Sequence, residues 1–235
     1  MSNYSENKII GSTYEAIFWW NRTESLYHKS FSKIGLLKEN EKAKKFFIRK
    51  VFDTFLKEFA VRRNVAKGYN SVELLFENLF SNDNIIRIQN ENKEIVDELS
   101  ETYAKLEFTN YKQTRSLISK CAFMINPSHF SLLDEYTKIS LSKITEKSKI
   151  SFDNSYSTFI SAINDEIINI ENFSETYNPI LEKFKETDAY VFFKDNPNAF
   201  VRRIFDKYLW IERLDDKEVR IEENYGMEDF YELIE

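Results

Sequence analysis

Apolar residues recur at three- and four-residue spacing along most of this chain, and charged residues occupy the positions between them. This spacing places the apolar side chains on one face of a helix. The clearest stripes are Ile48, Val51, Phe52, Phe55, Leu56 and Phe59 within residues 41–63, and Tyr156, Phe159, Ile160, Ile163, Ile167 and Ile170. Period-two alternation, which is typical of strands, is hardly visible. The pattern therefore predicts an all-α protein.

Local sequence also marks where helices begin and how they are connected. Asn196 followed by Pro197 predicts a helix start, because proline is favoured in the first helical turn. The inward face of that helix is predicted to carry Phe200, Ile204, Phe205, Tyr208 and Leu209. Four glycines and three prolines leave few places for tight turns. We expect a compact multi-helix body, either a single domain over residues 1–235 or two lobes, with the terminal helices around a middle block of about 70–150.

Composition excludes several classes of protein. No apolar run approaches the roughly 20 residues that span a bilayer, and the first ten residues lack the pattern of a signal peptide. We therefore expect a cytoplasmic protein without membrane contact. The single cysteine, Cys121, has no partner for an internal disulfide, and two histidines do not make a zinc site. No metal or other cofactor is expected.

The charge is unevenly distributed. A net charge of −6 disfavours binding to a polyanion. Residues 42–67, however, are rich in Lys and Arg with only two acids, Asp53 and Glu58, whereas residues 212–235 are mainly acidic. A basic face for DNA and an acidic tail for a basic protein partner could therefore coexist.

The segment from Thr114 to Leu141 reads TRSLISKCAFMINPSHFSLLDEYTKISL. An apolar helix is expected from about Leu117 to Ile125, followed by a loop marked by Pro127. Asp134 stands where the N-cap of a second helix is expected. The segment thus has the order helix, loop, acid, helix.

This order resembles the catalytic stretch of helix-hairpin-helix DNA glycosylases. In that family a loop of the form F-P-I-x-D ends in an aspartate that faces the flipped nucleotide. The corresponding residues in this chain are Phe130-Ser131-Leu132-Leu133-Asp134. Eighteen residues before the aspartate, the adenine-removing branch has a serine after an arginine, which matches Ser116 after Arg115. Lys138 and Leu141 also fall where that branch carries a basic and an apolar residue, and the Arg203-x-x-Asp206-x-x-Leu209-Trp210 segment is similar to the last helix of small glycosylase-like proteins.

Three features depart from the family pattern. Residues 109–114 read TNYKQT and lack the glycines of the DNA-binding hairpin. The proline of the F-P-I-x-D loop is replaced by Ser131, and there are no cysteines for an iron–sulfur cluster. The resemblance covers about 28 of the 235 residues, from Thr114 to Leu141.

The resemblance implies roles for individual residues. Asp134 would stabilise the oxocarbenium-like sugar or activate water, with Ser116 beside it. Lys120 is an alternative nucleophile, because neighbouring Phe123 and Cys121 could desolvate it and lower its pKa. The expected contacts to nucleic acid are Arg115, Lys112 and Lys138, and the candidates for stacking on a base are Trp20, Phe123 and Trp210, with Trp19 as a further one. Trp19 and Trp20 cannot both face one core from adjacent helical positions, so one of them is expected at a groove or a lobe contact.

Two of these residues also have a purely structural explanation. Asp134 is explained by helix capping alone, and Lys120 by a surface lysine whose stem lies on apolar residues. The alternative function is a non-catalytic helical interaction protein of a bacterial defence or phage-related system, which binds a partner through the acidic tail. A glycosylase predicts a basic groove leading to a partly buried Asp134 beside aromatic rings, whereas an interaction protein predicts a solvated Asp134 and an exposed apolar patch.

Overall fold

A computed structural model describes residues 4–37 and 40–215. The described residues form helices and connecting turns without strands, as the apolar pattern predicts. Within them, no helix is both long and apolar enough to cross a membrane. Most of the acidic tail, residues 216–235, lies outside the described residues, so its protein partner stays a prediction.

Helices follow one another along the described residues with mostly short connections. The first six are α1 (Glu6–Trp19), α2 (Ser25–Phe31), α3 (Ile34–Leu37), α4 (Glu41–Phe47), α5 (Asp53–Glu58) and α6 (Tyr69–Leu79). The next five are α7 (Asn82–Gln89), α8 (Ile95–Tyr103), α9 (Arg115–Ile125), α10 (Glu135–Thr145) and α11 (Lys149–Asn154). The last four are α12 (Tyr156–Glu171), α13 (Ser174–Glu182), α14 (Asp188–Asp195) and α15 (Pro197–Asp215).

A π-helical turn, Trp20–Glu24, joins α1 to α2 without a break in right-handed helical geometry. A π-turn contains an extra residue compared with an α-turn and therefore shifts the faces of the helix that follows. Trp20 is buried, at 1% exposure, whereas Trp19 lies at a surface groove. The two adjacent tryptophans thus face different environments.

The helix predicted over residues 41–63 is shorter and less regular than its apolar pattern suggests. It consists of α4, a second π-turn at Ile48–Phe52, and α5, and it ends at Glu58. Ala60 follows in the left-handed region, with φ 54°, which stops the helix before residue 63. The turn over residues 59–64 consequently becomes part of the wall of the groove.

The terminal helices lie together. α1 packs along α15, which also contacts α10 and α12. Phe200, Ile204, Phe205, Tyr208 and Leu209 are all buried, which confirms the predicted inward face of α15. The buried apolar residues, from Ile9 to Leu209, form one continuous cluster, so both ends of the described chain share a core with the middle helices.

The loop between α9 and α10 is fixed by buried polar groups. The Ser131 backbone N–H donates to the Tyr156 hydroxyl at 3.0 Å, and the Ser131 hydroxyl accepts from Arg202 at 3.1 Å. The Leu133 N–H donates to the Ser119 hydroxyl at 3.2 Å. A proline at position 131 would have no N–H to donate, so the serine found there forms a bond that proline could not form.

Asp97 on α8 connects three elements of the fold. One carboxylate oxygen accepts from the Arg115 guanidinium at 2.6 Å and from the Tyr156 N–H at 2.9 Å, and the other accepts from the Ser157 N–H at 3.1 Å. Burial by itself raises the pKa of Asp97, but these hydrogen bonds to the charged form outweigh it. The pKa of Asp97 therefore lies below its ordinary value of 3.8.

We predict that Asp97→Asn lowers the free energy of unfolding by about 2–3 kcal/mol at pH 7, because Arg115 stays buried without its partner. The stabilisation due to Asp97 is present above the unfolded pKa and is lost as pH falls through the lower folded pKa. Urea unfolding of both proteins from pH 7 to pH 3 should show the difference shrinking below about pH 4. Glu98→Gln, which changes the adjacent acid in an exposed pair with Arg87, should have little effect. A pH-independent difference would contradict the role of the Asp97 charge.

Candidate functional site

A groove of about 1040 Å³ lies between the N-terminal helix, the turn after α5, the start of α9, the start of α10 and the outer face of α15. Its lining includes Asp134, Ser116, Lys120, Arg115, Lys138 and Trp210, which the sequence singled out. These residues are spread over nearly 100 positions of the chain. The fold therefore brings most of the predicted site residues to one place.

Asp134 has two hydrogen-bonding roles. One carboxylate oxygen accepts from the Thr137 N–H at 2.9 Å and caps α10, and the Thr137 hydroxyl completes the capping box. The other oxygen accepts from the Trp210 indole N–H at 3.0 Å, inside the groove. The side chain is partly buried. Capping therefore accounts for only one of the two oxygens.

Lys120 is a buried lysine, at 8% exposure, on the same wall. Its ammonium donates to the Phe59 carbonyl oxygen at 2.8 Å. Burial lowers the pKa of Lys120, while the charges of Asp134 and Asp206 act in the opposite direction. The interpretation of Lys120 as a solvated surface lysine is therefore wrong.

A buried ionic cluster forms the floor of the groove. Arg203 on α15, at 2% exposure, pairs with Glu24 of the first π-turn and with Asp206. Burial raises the pKa of Asp206 to about 6; the Arg203 charge opposes this shift and the Asp134 charge adds to it. Burial and the Arg203 charge lower the pKa of Lys207 to about 8, against the opposing effect of Glu24. No motif or spacing in the sequence singles out Glu24 or Lys207.

The predicted DNA-contacting cations are largely engaged elsewhere. Arg115, at 8% exposure, is held by Asp97 and by Gln113. Lys138 pairs with Asp153, and with Glu135 at 3.0 Å. Lys112 is exposed but does not line the groove. DNA contact by these three residues stays a prediction, and the carboxylates that neutralise Arg115 and Lys138 come mainly from other helices.

The aromatic residues divide between the groove and the core. Trp210 and Tyr136 line the groove with ring centroids 4.8 Å apart, and Trp19 lies at the same groove. Trp20 instead stacks on Phe192, with centroids 4.3 Å apart, and Phe123 is buried beneath the Arg203 guanidinium. The stacking expectation is therefore corrected for Trp20 and Phe123, since neither offers a free ring face to the groove.

The groove is not basic overall. Its lining contains seven Lys or Arg and seven Asp or Glu side chains. The expectation of a basic groove is thus wrong, although the expected partly buried Asp134 with aromatic neighbours is present. Among residues 4–37 and 40–215, no group of three or more His, Cys, Asp and Glu side chains is placed to hold a metal ion.

Comparisons with models of known protein families, with curated proteins and with solved structures find no match to this chain. The resemblance to helix-hairpin-helix glycosylases therefore stays an expectation that rests on the residues from Thr114 to Leu141.

We predict that the Lys120 ammonium loses its proton at a lower pH than the exposed lysines, because burial disfavours its charge. NMR titration of the lysine side-chain nitrogens between pH 7 and pH 12 measures this directly, with Lys120→Arg to assign the resonance. The titration midpoint of Lys120 should move to higher pH in Phe59→Ala, because Phe59 lines the groove beside Lys120 and a smaller side chain there admits water. Titration of Lys120 together with the exposed lysines would show that the groove wall is hydrated.

Proposed function

We propose that this protein processes a base in DNA by hydrolysing an N-glycosidic bond, with Asp134 as the essential carboxylate. The observation that supports this most is the position of the carboxylate. Asp134 lies in a groove of about 1040 Å³ whose lining also contains Ser116, Lys120 and Trp210, residues for which the sequence predicts roles in such a site. DNA as the substrate also fits the cytoplasmic location expected from the sequence.

The geometry of Asp134 suits stabilisation of developing positive charge. The Thr137 N–H and the Trp210 indole hold one oxygen each, so the carboxylate is oriented before a substrate arrives. Such preorganisation is more effective than a freely rotating acid, because no reorganisation is needed as charge develops. Each oxygen keeps lone pairs for a water or for the sugar.

The reaction balances with water as the only co-reactant. The bond between C1′ and the base nitrogen breaks, and its electron pair leaves with the base. Positive charge then develops on the sugar, where the Asp134 carboxylate stabilises it. Water adds its oxygen to C1′, and the proton that it releases passes to the base. A free base and an abasic sugar result.

Aromatic rings beside Asp134 provide a surface for the extruded base. Trp210 and Tyr136 are in edge-to-face contact, and both line the groove. Stacking of a base on such a ring contributes about 1–3 kcal/mol. Lys120 remains the alternative nucleophile, because burial lowers its pKa and increases its neutral fraction.

A second candidate function is a non-catalytic interaction protein. It is favoured by the balanced charge of the groove and by large apolar side chains that are exposed to solvent. The most exposed of these include Leu36 at 76%, Ile150 at 68% and Phe46 at 63%. Such side chains are typical of a site that binds a protein partner where they form one contiguous patch.

We predict that the wild-type protein cleaves lesion-containing DNA after alkali treatment and that Asp134→Asn reduces the rate at least about 100-fold. The substrates are labelled duplexes with A opposite 8-oxoguanine, 8-oxoguanine opposite C, or uracil, and a duplex with an abasic site serves for binding and as the positive control for alkaline cleavage. The matched control is Asp165→Asn, which removes an acid whose side chain is 71% exposed on α12 and should leave the rate unchanged.

Two other results would contradict this prediction. If the wild-type protein neither binds nor cleaves any of these duplexes at low salt, glycosylase activity on them is excluded and the interaction protein becomes the better proposal. If cleavage occurs but persists in Asp134→Asn, then Asp134 is not the essential carboxylate. Lys120→Met would then be the next variant to measure.

A further inference from the structure

One end of the groove carries two cations around a single aromatic ring. The Arg22 guanidinium carbon lies 5.4 Å from the centroid of Trp19, and the Lys207 ammonium lies 4.7 Å from it. These two cationic groups are therefore at most about 10 Å apart, and both line the groove. Arg22 comes from the first π-turn and Lys207 from α15.

Both cations lack a direct counter-charge. In the described part of the chain, neither Arg22 nor Lys207 has a carboxylate oxygen at ion-pair distance, whereas Arg115, Lys138 and Arg203 each do. The acids whose charges act on Lys207 are committed to other donors: Glu15 accepts from the Trp19 indole at 2.8 Å, and Glu24 and Asp206 pair with Arg203. Arg22 and Lys207 are therefore available to an anion in this part of the groove.

We propose that Arg22 and Lys207 bind one phosphate group of a nucleotide whose sugar lies towards Asp134. The guanidinium can donate two parallel hydrogen bonds to a phosphate, and the ammonium adds a point charge. The inference rests on the proposed function for the nucleoside part of the ligand, but the phosphate subsite is tested by binding alone.

The groove holds a single nucleoside phosphate unit, such as one extruded nucleotide, and not a length of duplex backbone. A duplex backbone presents many phosphates and requires a continuous basic surface. Seven acidic side chains line the same groove, so additional phosphates would meet repulsion. A volume of about 1040 Å³ is near the upper end of pockets for small ligands and accommodates a nucleotide. The unit can be a free nucleotide or one nucleotide extruded from a DNA strand.

The first experiment compares nucleosides with nucleotides. Dissociation constants of the four common deoxynucleosides and of their 5′- and 3′-monophosphates are measured by calorimetry on the full chain. Trp19 and Trp210 fluorescence provides a second signal, while the buried Trp20 contributes a constant background. We expect at least one monophosphate to bind about tenfold or more tightly than its nucleoside.

The variants Arg22→Gln and Lys207→Gln should each remove most of this phosphate-dependent gain and leave nucleoside affinity nearly unchanged. The matched control is Arg49→Gln, because Arg49 is also an exposed arginine stacked on an aromatic ring, 4.4 Å from the centroid of Tyr69, but does not line the groove. It should retain the full gain. Thermal unfolding followed by circular dichroism checks that all variants fold.

A measurement on the wild-type protein alone replaces these variants if they fail to fold. For a single-stranded ligand, log affinity against log salt should have a slope near about −0.7, since one phosphate contact releases about that much counterion. A much steeper slope, or equal affinity for nucleosides and nucleotides, would overturn the subsite. So would a phosphate-dependent gain that survives in both folded variants.

Two further comparisons identify the source of the phosphate and distinguish the phosphate subsite from the proposed hydrolysis. Tighter binding of a single-stranded oligonucleotide than of any mononucleotide identifies a strand as the source, and the reverse identifies a free nucleotide. Asp134→Asn should keep the phosphate-dependent gain while losing hydrolysis. If no hydrolysis is found but the gain depends on Arg22 and Lys207, the proposed function fails and the subsite stands.

Discussion

Burying the Arg203 guanidinium costs several kcal/mol unless its charge and its donors are matched. Glu24 and Asp206 provide that match, and both are themselves buried, at 1% and 5% exposure. Glu24 belongs to the first π-turn, which continues the N-terminal helix, and Arg203 belongs to α15. Their pairing therefore requires that the N-terminal helix and α15 pack against each other in one particular alignment. Loss of Arg203 would leave two carboxylates in the core without their counter-charge. The floor of the groove thus depends on this cluster.

The first π-turn determines which side chains reach the groove. Glu24 turns inward to Arg203, Trp20 enters the core, and Trp19 and Arg22 line the groove. A regular α-helix through residues 20–24 would rotate the following residues relative to α1, because a π-turn inserts an extra residue. The irregularity therefore connects the buried ionic cluster to the exposed cation beside Trp19.

The sequence predicts the helices and the position of Asp134 well, because both follow from local rules. Three-four spacing predicts the buried face of α15, and the residue type before α10 predicts the cap. Neither π-turn is visible in the apolar pattern, since the stripe over residues 41–63 is compatible with one regular helix. The partners of the ion pairs also cannot be predicted from neighbouring residues in the sequence. Arg115 pairs with Asp97, and Lys138 with Asp153, through contacts between different helices. The adjacent positions of Trp19 and Trp20 indicate that one of the two side chains lies outside the core. They do not indicate which of the two it is.

The structural and functional interpretations of Asp134 are compatible, because its two oxygens have different partners. The oxygen that caps α10 fixes the orientation of the carboxylate, and this fixed orientation is what makes the second oxygen useful in the groove.

The cations of the groove also divide into a structural group and a group available to a ligand. Arg115, Lys138 and Arg203 are already paired and hold the walls together, so they contribute little net charge to a ligand. Only cations without a carboxylate partner can attract an anion strongly, and Arg22 and Lys207 meet that condition around one ring. The distribution of unpaired charge, and not the total charge of the groove, therefore determines where a phosphate would bind.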